Sequence, residues 1–141
     1  MKKFITCIAV GIALLTFCAK ADIDPSLDME KYPVNVSITD AYCSPFKAPK
    51  ATQVIGKVSK EPDLPDGKYS IKFEIPRNED TQFYDLSCLK IRVNVDYDVY
   101  VDPPLGGVHD LDYGNTKEIT VYSPLTSEKK TYVISAKKIR S

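Results

Sequence analysis

The chain has 141 residues, of which 43% are hydrophobic and 27% charged, with no tryptophan and a single histidine. This length and composition predict one globular domain with a short appendage and leave no room for two hydrophobic cores. The 19 basic and 19 acidic side chains cancel. That balance argues against nucleic-acid binding, because such a function needs an excess of Lys and Arg on one face.

Residues 1–21 have the pattern of a signal peptide. Two lysines precede an uncharged run over residues 4–17, which is too short for a membrane-spanning helix of about 20 residues. The sequence Ala19-Lys20-Ala21 supplies the small residues that signal peptidase requires before its cleavage site. Cleavage before Asp22 removes 21 of the 141 residues and leaves 16 basic and 19 acidic side chains, a net charge of −3.

A second interpretation of this segment is lipidation of Cys18. The residues around it are similar to a bacterial lipoprotein start, but Phe17 occupies the position where a small residue is required. Simple cleavage is therefore favoured, and lipidation is the alternative. Both interpretations predict an exported domain, and neither predicts a transmembrane span.

Cys43 and Cys88 are the cysteines that remain after conventional cleavage. Because export favours pairing of thiols, they predict one disulfide, which on the chain-entropy description would stabilise the fold by about 4 kcal/mol. A zinc site is not expected, because two isolated cysteines and the single His109 fall short of four closely spaced ligands. A cysteine nucleophile paired with His109 is the weaker alternative.

The mature chain shows period-two alternation nearly throughout. Residues 22–33 are acidic, contain two prolines and lack periodicity, which predicts a flexible tether before a domain of residues 34–141. Alternation of apolar and polar residues predicts strands over 34–39, 52–59, 69–75, 89–96, 99–101, 117–123 and 130–139. About seven short strands separated by turn-forming residues predict an all-β fold, an antiparallel immunoglobulin-like β-sandwich.

The second half of the domain carries an ordered series of short motifs. They are Ile75-Pro76, Tyr84-Asp85-Leu86-Ser87-Cys88-Leu89-Lys90, Val101-Asp102-Pro103-Pro104, Asp110-Leu111-Asp112-Tyr113, Thr120-Val121-Tyr122 and Lys130-Thr131-Tyr132-Val133-Ile134. Over residues 70–140 this order resembles the small immunoglobulin-like sandwich modules of exported Bacteroidetes proteins. The resemblance implies a location in the periplasm or at the surface of a Gram-negative bacterium, with an outer-membrane lipoprotein anchored through Cys18 as the alternative. Modules of this kind occur in surface adhesins, fimbrial components and glycan-handling assemblies, so the fold alone does not give the function.

Two groups of side chains are candidates for a site. Five carboxylates lie close together in sequence, at Asp96, Asp98, Asp102, Asp110 and Asp112, but the order of an EF-hand loop is absent, so no metal site is expected. Aromatic rings are the better indication of binding. Rings in or beside predicted loops can stack on sugars or anchor a protein partner, and this hypothesis names Tyr84, Tyr97, Tyr100 and Tyr113.

The sequence contains none of the common catalytic signatures, such as G-x-S-x-G, H-E-x-x-H or G-x-x-x-x-G-K. We therefore expect neither enzymatic activity nor a cofactor. The favoured function is an exported, non-catalytic interaction module that binds a protein partner or a glycan at the cell envelope, through a loop cluster or an exposed strand edge. The alternative is a small secreted hydrolase or enzyme inhibitor, in which the proline-braced loop over residues 102–108 would enter a protease cleft.

Overall fold

The computed structural model describes residues 33–48 and 51–140. The predicted signal peptide, Cys18 and nearly all of the predicted tether lie outside these residues. The described strands are β1 (Ile38–Pro45), β2 (Val54–Ile55), β3 (Lys57–Val58), β4 (Tyr69–Pro76), β5 (Leu89–Val95), β6 (Tyr100–Asp102), β7 (Lys117–Tyr122) and β8 (Lys129–Ile139). Single turns of 3-10 helix lie at Pro65–Gly67, Glu79–Thr81 and Asp112–Gly114. No helix in the described part of the chain is long and apolar enough to cross a membrane.

The strands form two sheets, with the orders β2-β1-β5 and β3-β4-β8-β7-β6. The all-β sandwich predicted from alternation is confirmed, with eight described strands where about seven were expected. Five of the strand pairs are antiparallel. The pair β4–β8 is parallel, from Tyr69 beside Tyr132 to Pro76 beside Ile139. The prediction of a purely antiparallel sandwich is therefore wrong for this pair.

Two of the predicted strands differ from the structure by more than one residue at an end. The run 34–39 was expected to be a strand, but β1 begins at Ile38 and continues to Pro45. The run 52–59 was expected to be one strand, but Gly56 divides it into β2 and β3, which join different sheets. A Cβ at Gly56 would lie 2.7 Å from a ring carbon of the buried Phe73, so the chain passes close to the core where it changes sheet.

The core lies between the two sheets and follows the alternation of the longer strands. Each of these strands turns every second side chain inward, and the buried side chains include Ile71 and Phe73 of β4, Ile91 of β5, and Ile119 and Val121 of β7. Burying each aliphatic or aromatic side chain of this size contributes about 1.5–3 kcal/mol. The intervening side chains of the same strands lie on the outer faces of the sandwich, where most are at least partly exposed, although Ser70 of β4 is buried.

Cys43 and Cys88, the cysteines within the described residues, are free thiols in the structure, so the disulfide expected between them is not formed. Cys43 lies in β1 beside Ile91, whereas the backbone N–H of Phe46 donates to the carbonyl oxygen of Cys88 at 3.1 Å. Cys88 therefore lies three positions along the ladder from Cys43, and an odd offset turns the two side chains to opposite faces of the sheet. A bridge requires side chains that point toward each other, and a cysteine count cannot give the strand register.

Candidate functional site

A patch of polar and aromatic side chains lies on the outer face of the five-stranded sheet, across β6, β7 and β8. The register of the three strands arranges its members in two rows. The first row is Tyr100, Tyr122 and Lys129, and the second row is Asp102, Thr120 and Thr131. We call these six residues the outer patch. Given the spacing of strands and residues in a sheet, its backbone positions extend over about 10 Å across the strands and about 7 Å along them.

Alternation along β7 explains why the patch faces outward. Ile119 and Val121 are fully buried, so Thr120 and Tyr122 between and beside them must point to the other face. Their neighbours on β6 and β8 point the same way because residues that pair directly across antiparallel strands share a face. The result is an open depression of about 480 Å³ lined by Asp102, Thr120, Tyr122, Lys129 and Thr131.

The aromatic part of the patch is a tyrosine pair. The ring centroids of Tyr100 and Tyr122 lie 5.9 Å apart with an interplanar angle of 30°, within the range in which aromatic rings attract each other. Tyr100 is 51% exposed and Tyr122 is half-buried. The pair therefore offers an apolar surface that is already held in place by ring contact and by strand pairing.

The polar part of the patch has hydrogen-bonding capacity that the described residues do not use. Lys130 donates to Ser37 at 2.7 Å and forms an ion pair with Glu128 at 3.2 Å. By contrast, the side chains of Asp102, Thr120, Thr131 and Lys129 make no hydrogen bond or ion pair with another residue in the described part of the chain. Two hydroxyl groups, one carboxylate and one ammonium group are therefore available to a ligand.

Tyr84, one of the four tyrosines predicted to contact a ligand, is a core residue. Only 1% of its surface is exposed, and its hydroxyl lies 3.0 Å from the carbonyl oxygen of Cys43 and 2.5 Å from that of Thr52. Burial, and secondarily the electrostatic interaction with Cys43, raise the pKa of Tyr84 to about 12. The prediction of ligand contact is corrected here, because the motif around Tyr84 places the ring inside the sandwich.

The other three predicted tyrosines are exposed but do not form one cluster. Tyr97 is 90% exposed in the turn after β5, and Tyr113 is 97% exposed in the turn Asp112–Gly114. Tyr113 lines a separate cavity of about 490 Å³ together with Lys137 of β8. Lys129 of the outer patch lies eight residues earlier on the same strand, a separation of about 27 Å in an extended strand. Of the four tyrosines, the structure brings only Tyr100 into the outer patch.

The loop expected to act as an inhibitor segment is anchored to the domain. Leu105 is half-buried and packs against the core, and its carbonyl oxygen lies 3.2 Å from Nε2 of the buried His109. His109 also exchanges two backbone hydrogen bonds with Leu89. Val108 is exposed, but Leu105 is not presented beside it as the inhibitor hypothesis requires.

Two of the five carboxylates that lie close together in sequence, Asp110 and Asp112, have local roles in a turn. Asp110 accepts a hydrogen bond from the backbone N–H of Asp112 at 2.9 Å, and Asp112 accepts one from the N–H of Tyr113 at 2.9 Å. Across residues 33–48 and 51–140, no group of three or more His, Cys, Asp or Glu side chains is arranged to hold a metal ion.

Four residues of the outer patch were not singled out from the sequence: Thr120, Tyr122, Lys129 and Thr131. The alternation of β7 was sufficient to place Thr120 and Tyr122 on an outward face. The sequence did not reveal that β6 and β8 flank β7 on either side, and this pairing is what assembles separate outward residues into one surface.

The chain matches no protein-family model and no curated protein. Two solved structures from Bacteroides are similar to it. One is a candidate glycoside hydrolase of Bacteroides thetaiotaomicron, with 16% identity and a TM-score of 0.48 over 77% of this chain and 27% of the other. The second is a candidate secreted protein of Bacteroides fragilis, with 17% identity and a TM-score of 0.47 over 74% of this chain and 95% of the other. The chain thus spans 27% of the length of the first of these proteins.

Proposed function

We propose that this chain is an exported, non-catalytic, immunoglobulin-like module that binds a glycan at the cell envelope of a Gram-negative bacterium through the outer patch. The observation that carries the proposal is the juxtaposition of a tyrosine pair with polar groups that have no described protein partner. Export is supported by the signal-peptide pattern of residues 1–21, and both simple cleavage and lipidation of Cys18 are compatible with glycan binding.

The two rows of the outer patch match the two kinds of surface on a sugar. A pyranose ring has an apolar face of C–H groups, which can lie against the half-exposed rings of Tyr100 and Tyr122. Its hydroxyl groups can exchange hydrogen bonds with Thr120 and Thr131 and donate to the carboxylate of Asp102. Since the rows belong to adjacent positions of the same rigid strands, both kinds of contact can form without rearrangement of the backbone.

The side chains of the outer patch favour binding over hydrolysis. Glycoside hydrolysis generally uses two carboxyl groups on either side of the scissile bond, and the patch contributes one, from Asp102. Two of the other candidate reactive groups, His109 and Cys43, have structural positions. His109 is buried beside Leu105, and burial raises the pKa of the Cys43 thiol to about 12, so this thiol is protonated at neutral pH.

Binding to soluble hexasaccharides would test the proposal. Isothermal titration calorimetry would be carried out with five neutral hexasaccharides of different linkage: cellohexaose, xylohexaose, mannohexaose, laminarihexaose and maltohexaose. For a glycan that binds, Tyr122→Ala removes the central ring and is expected to weaken affinity by about tenfold, a loss of about 1.4 kcal/mol. Thr131→Val keeps the side-chain shape but removes the hydroxyl, and a loss of about three- to tenfold is expected if this group bonds the sugar.

Tyr113→Ala is the matched control, because Tyr113 is an exposed tyrosine outside the patch. It is expected to bind as the unmodified protein does. Glycan binding that survives Tyr122→Ala, or that is lost equally in Tyr113→Ala, would contradict the assignment of the outer patch. Release of shorter sugars from any of the hexasaccharides would contradict the non-catalytic assignment.

A further inference from the structure

Strand β5 is the longest of the four terminal strands in the two described sheets. It has seven residues, whereas β2 and β3 have two each and β6 has three. On one side β5 pairs with β1 over its whole length. On the other side, within the described residues, only Leu89 has a backbone partner, through two hydrogen bonds of 3.0 and 2.8 Å with His109.

The backbone groups that face this open side can be assigned from alternation. In an antiparallel strand, successive residues direct their N–H and C=O groups to opposite sides. Leu89 bonds outward to His109, while the carbonyl oxygen of Asn94 faces β1 and accepts from Thr39 Oγ1 at 3.2 Å. After Leu89, the backbone N–H and C=O groups that point to the open edge of β5, away from β1, therefore belong to Ile91, Val93 and Val95.

The side chains along β5 carry a charge pattern that repeats every second residue. Lys90, Arg92 and Asn94 are exposed on the outer face, and the exposed Asp96 follows directly after the strand. The pattern begins with a cation and ends with an anion. An antiparallel copy of the same segment reverses this order, so opposite charges can face each other across a two-fold axis.

We propose that β5 pairs in antiparallel register with β5 of a second copy of this chain, with the two-fold axis at Val93. In this register Lys90 lies opposite Asp96 of the second copy, and Arg92 lies opposite Asn94. Both contacts occur twice because of the symmetry. The two three-stranded sheets then join into one continuous sheet of six strands.

The neighbouring registers are less favourable for reasons of charge. An axis at Arg92 places the two arginines directly opposite each other, and an axis at Ile91 places Lys90 opposite Arg92 twice. Like charges at directly opposed positions destabilise a strand pair. An axis at Asn94 pairs only three residues of the strand, whereas the axis at Val93 pairs the five residues from Ile91 to Val95 and leaves the Leu89–His109 bridge intact.

The pairing adds a short ladder and buries a small area. Two bonds form between the central valines and four more between Ile91 and Val95, about six backbone hydrogen bonds in all. Strand addition of this kind is a recognised mode of protein association. Because the ladder is short and lies below the size of permanent interfaces, we expect a reversible, concentration-dependent dimer. This inference does not depend on glycan binding, which involves side chains of the other sheet.

Sedimentation velocity of the processed protein purified from its host, over about 5 µM to 1 mM, is the primary measurement. The unmodified protein is expected to shift from monomer to dimer across this range. Val93→Pro removes the backbone N–H that points to the open edge at the two-fold axis, and it removes no hydrogen bond to β1. Proline is tolerated at such a position on an edge strand. The substitution is expected to raise the dissociation constant by at least about tenfold. Unfolding in urea checks that the variant is folded.

A charge exchange tests the register itself and does not rely on proline. Lys90→Asp places two acidic groups opposite each other and is expected to weaken the dimer by about tenfold, as is Asp96→Lys, which opposes two cations. The double variant K90D/D96K restores opposite charges and is expected to recover the dissociation constant within about threefold.

Three results would overturn the proposed pairing. The first is a monomer at every concentration up to 1 mM. The second is a dimer whose dissociation constant is unchanged in Val93→Pro and in both single charge variants, which would indicate another interface. The third is a double variant that is weaker than either single variant, since this would exclude the register with the axis at Val93.

Discussion

Tyr84→Phe tests whether this tyrosine is structural. The substitution removes one hydroxyl and keeps the ring, which is fully buried. The hydroxyl lies 3.0 Å from the carbonyl oxygen of Cys43 and 2.5 Å from that of Thr52, and it joins β1 to the segment that precedes β2. Without it, the buried carbonyl oxygen of Cys43 and the partly buried carbonyl oxygen of Thr52 lose this side-chain partner.

The size of the effect follows from the cost of leaving a buried polar group unpaired, which is about 1–3 kcal/mol. We expect Tyr84→Phe to lower the free energy of unfolding by about 2 kcal/mol. With a denaturant dependence of about 2 kcal/mol per molar urea, typical of a domain of this size, the unfolding midpoint would fall by about 1 M. The matched control is Tyr113→Phe, because Tyr113 is 97% exposed and surface changes of this kind usually remain within about 0.5 kcal/mol.

The raised pKa of Tyr84 also predicts how the stability of the fold changes at alkaline pH. Its pKa in the folded protein is raised from 10.0 to about 12, so its contribution to stability is complete below pH 10 and is lost as pH rises toward 12. Part of the alkaline loss of stability should therefore disappear in Tyr84→Phe. A midpoint shift below about 0.3 M urea at pH 7, or an unchanged alkaline profile, would refute a structural role for this hydroxyl. Loss of glycan binding in a folded Tyr84→Phe protein would point back to ligand contact.

Three further predictions concern thiols, packing and acid stability. An alkylating reagent at pH 8 is expected to modify Cys88 and not the buried Cys43 in the native protein, as measured by peptide mass; a disulfide between them would contradict the register. Gly56→Ala places a Cβ 2.7 Å from a buried aromatic ring and should destabilise the fold by about 1–3 kcal/mol in urea unfolding, whereas Gly106→Ala, with no atom within 4 Å, should not. The hydrogen bond from Ser70 is the main cause that lowers the pKa of Asp63. The contribution of ionised Asp63 to the stability of the fold is therefore present above about pH 4 and lost as pH falls further. Asp63→Asn should accordingly show a weaker fall in stability between about pH 5 and 2, measured by urea unfolding.

The sequence predicted which strands exist and which side chains share a face better than it predicted how the strands are paired. Alternation in the segments that became β4, β5, β7 and β8 is a local property, since every second side chain of a strand points the same way. The parallel pairing of β4 with β8 is non-local, because it joins residues about 60 positions apart. Nothing in the alternation of either strand distinguishes a parallel from an antiparallel neighbour.

The candidate site shows the same division between local and non-local information. Tyr84 and Tyr122 are chemically identical and both lie in or beside β-rich segments, yet one is inside the sandwich and the other on its surface. The difference arises from the chain's path: Tyr84 follows the 3-10 turn Glu79–Thr81 and points toward β1, whereas Tyr122 alternates with the buried Val121. A list of tyrosines near predicted loops could not separate these positions.

The two proposed surfaces together lead to a prediction that neither makes alone. Pairing through β5 uses backbone groups at the edge of the three-stranded sheet, while the outer patch uses side chains on the face of the five-stranded sheet. A dimer therefore carries two patches, and a second binding event on a dense glycan surface becomes intramolecular, which can raise avidity about 100-fold or more. Val93→Pro should bind a soluble hexasaccharide as the unmodified protein does, but should dissociate faster from a surface densely coated with the same glycan. Equal dissociation rates on dense and sparse surfaces for the unmodified protein, at concentrations where it is dimeric, would show that the two patches cannot engage one surface together.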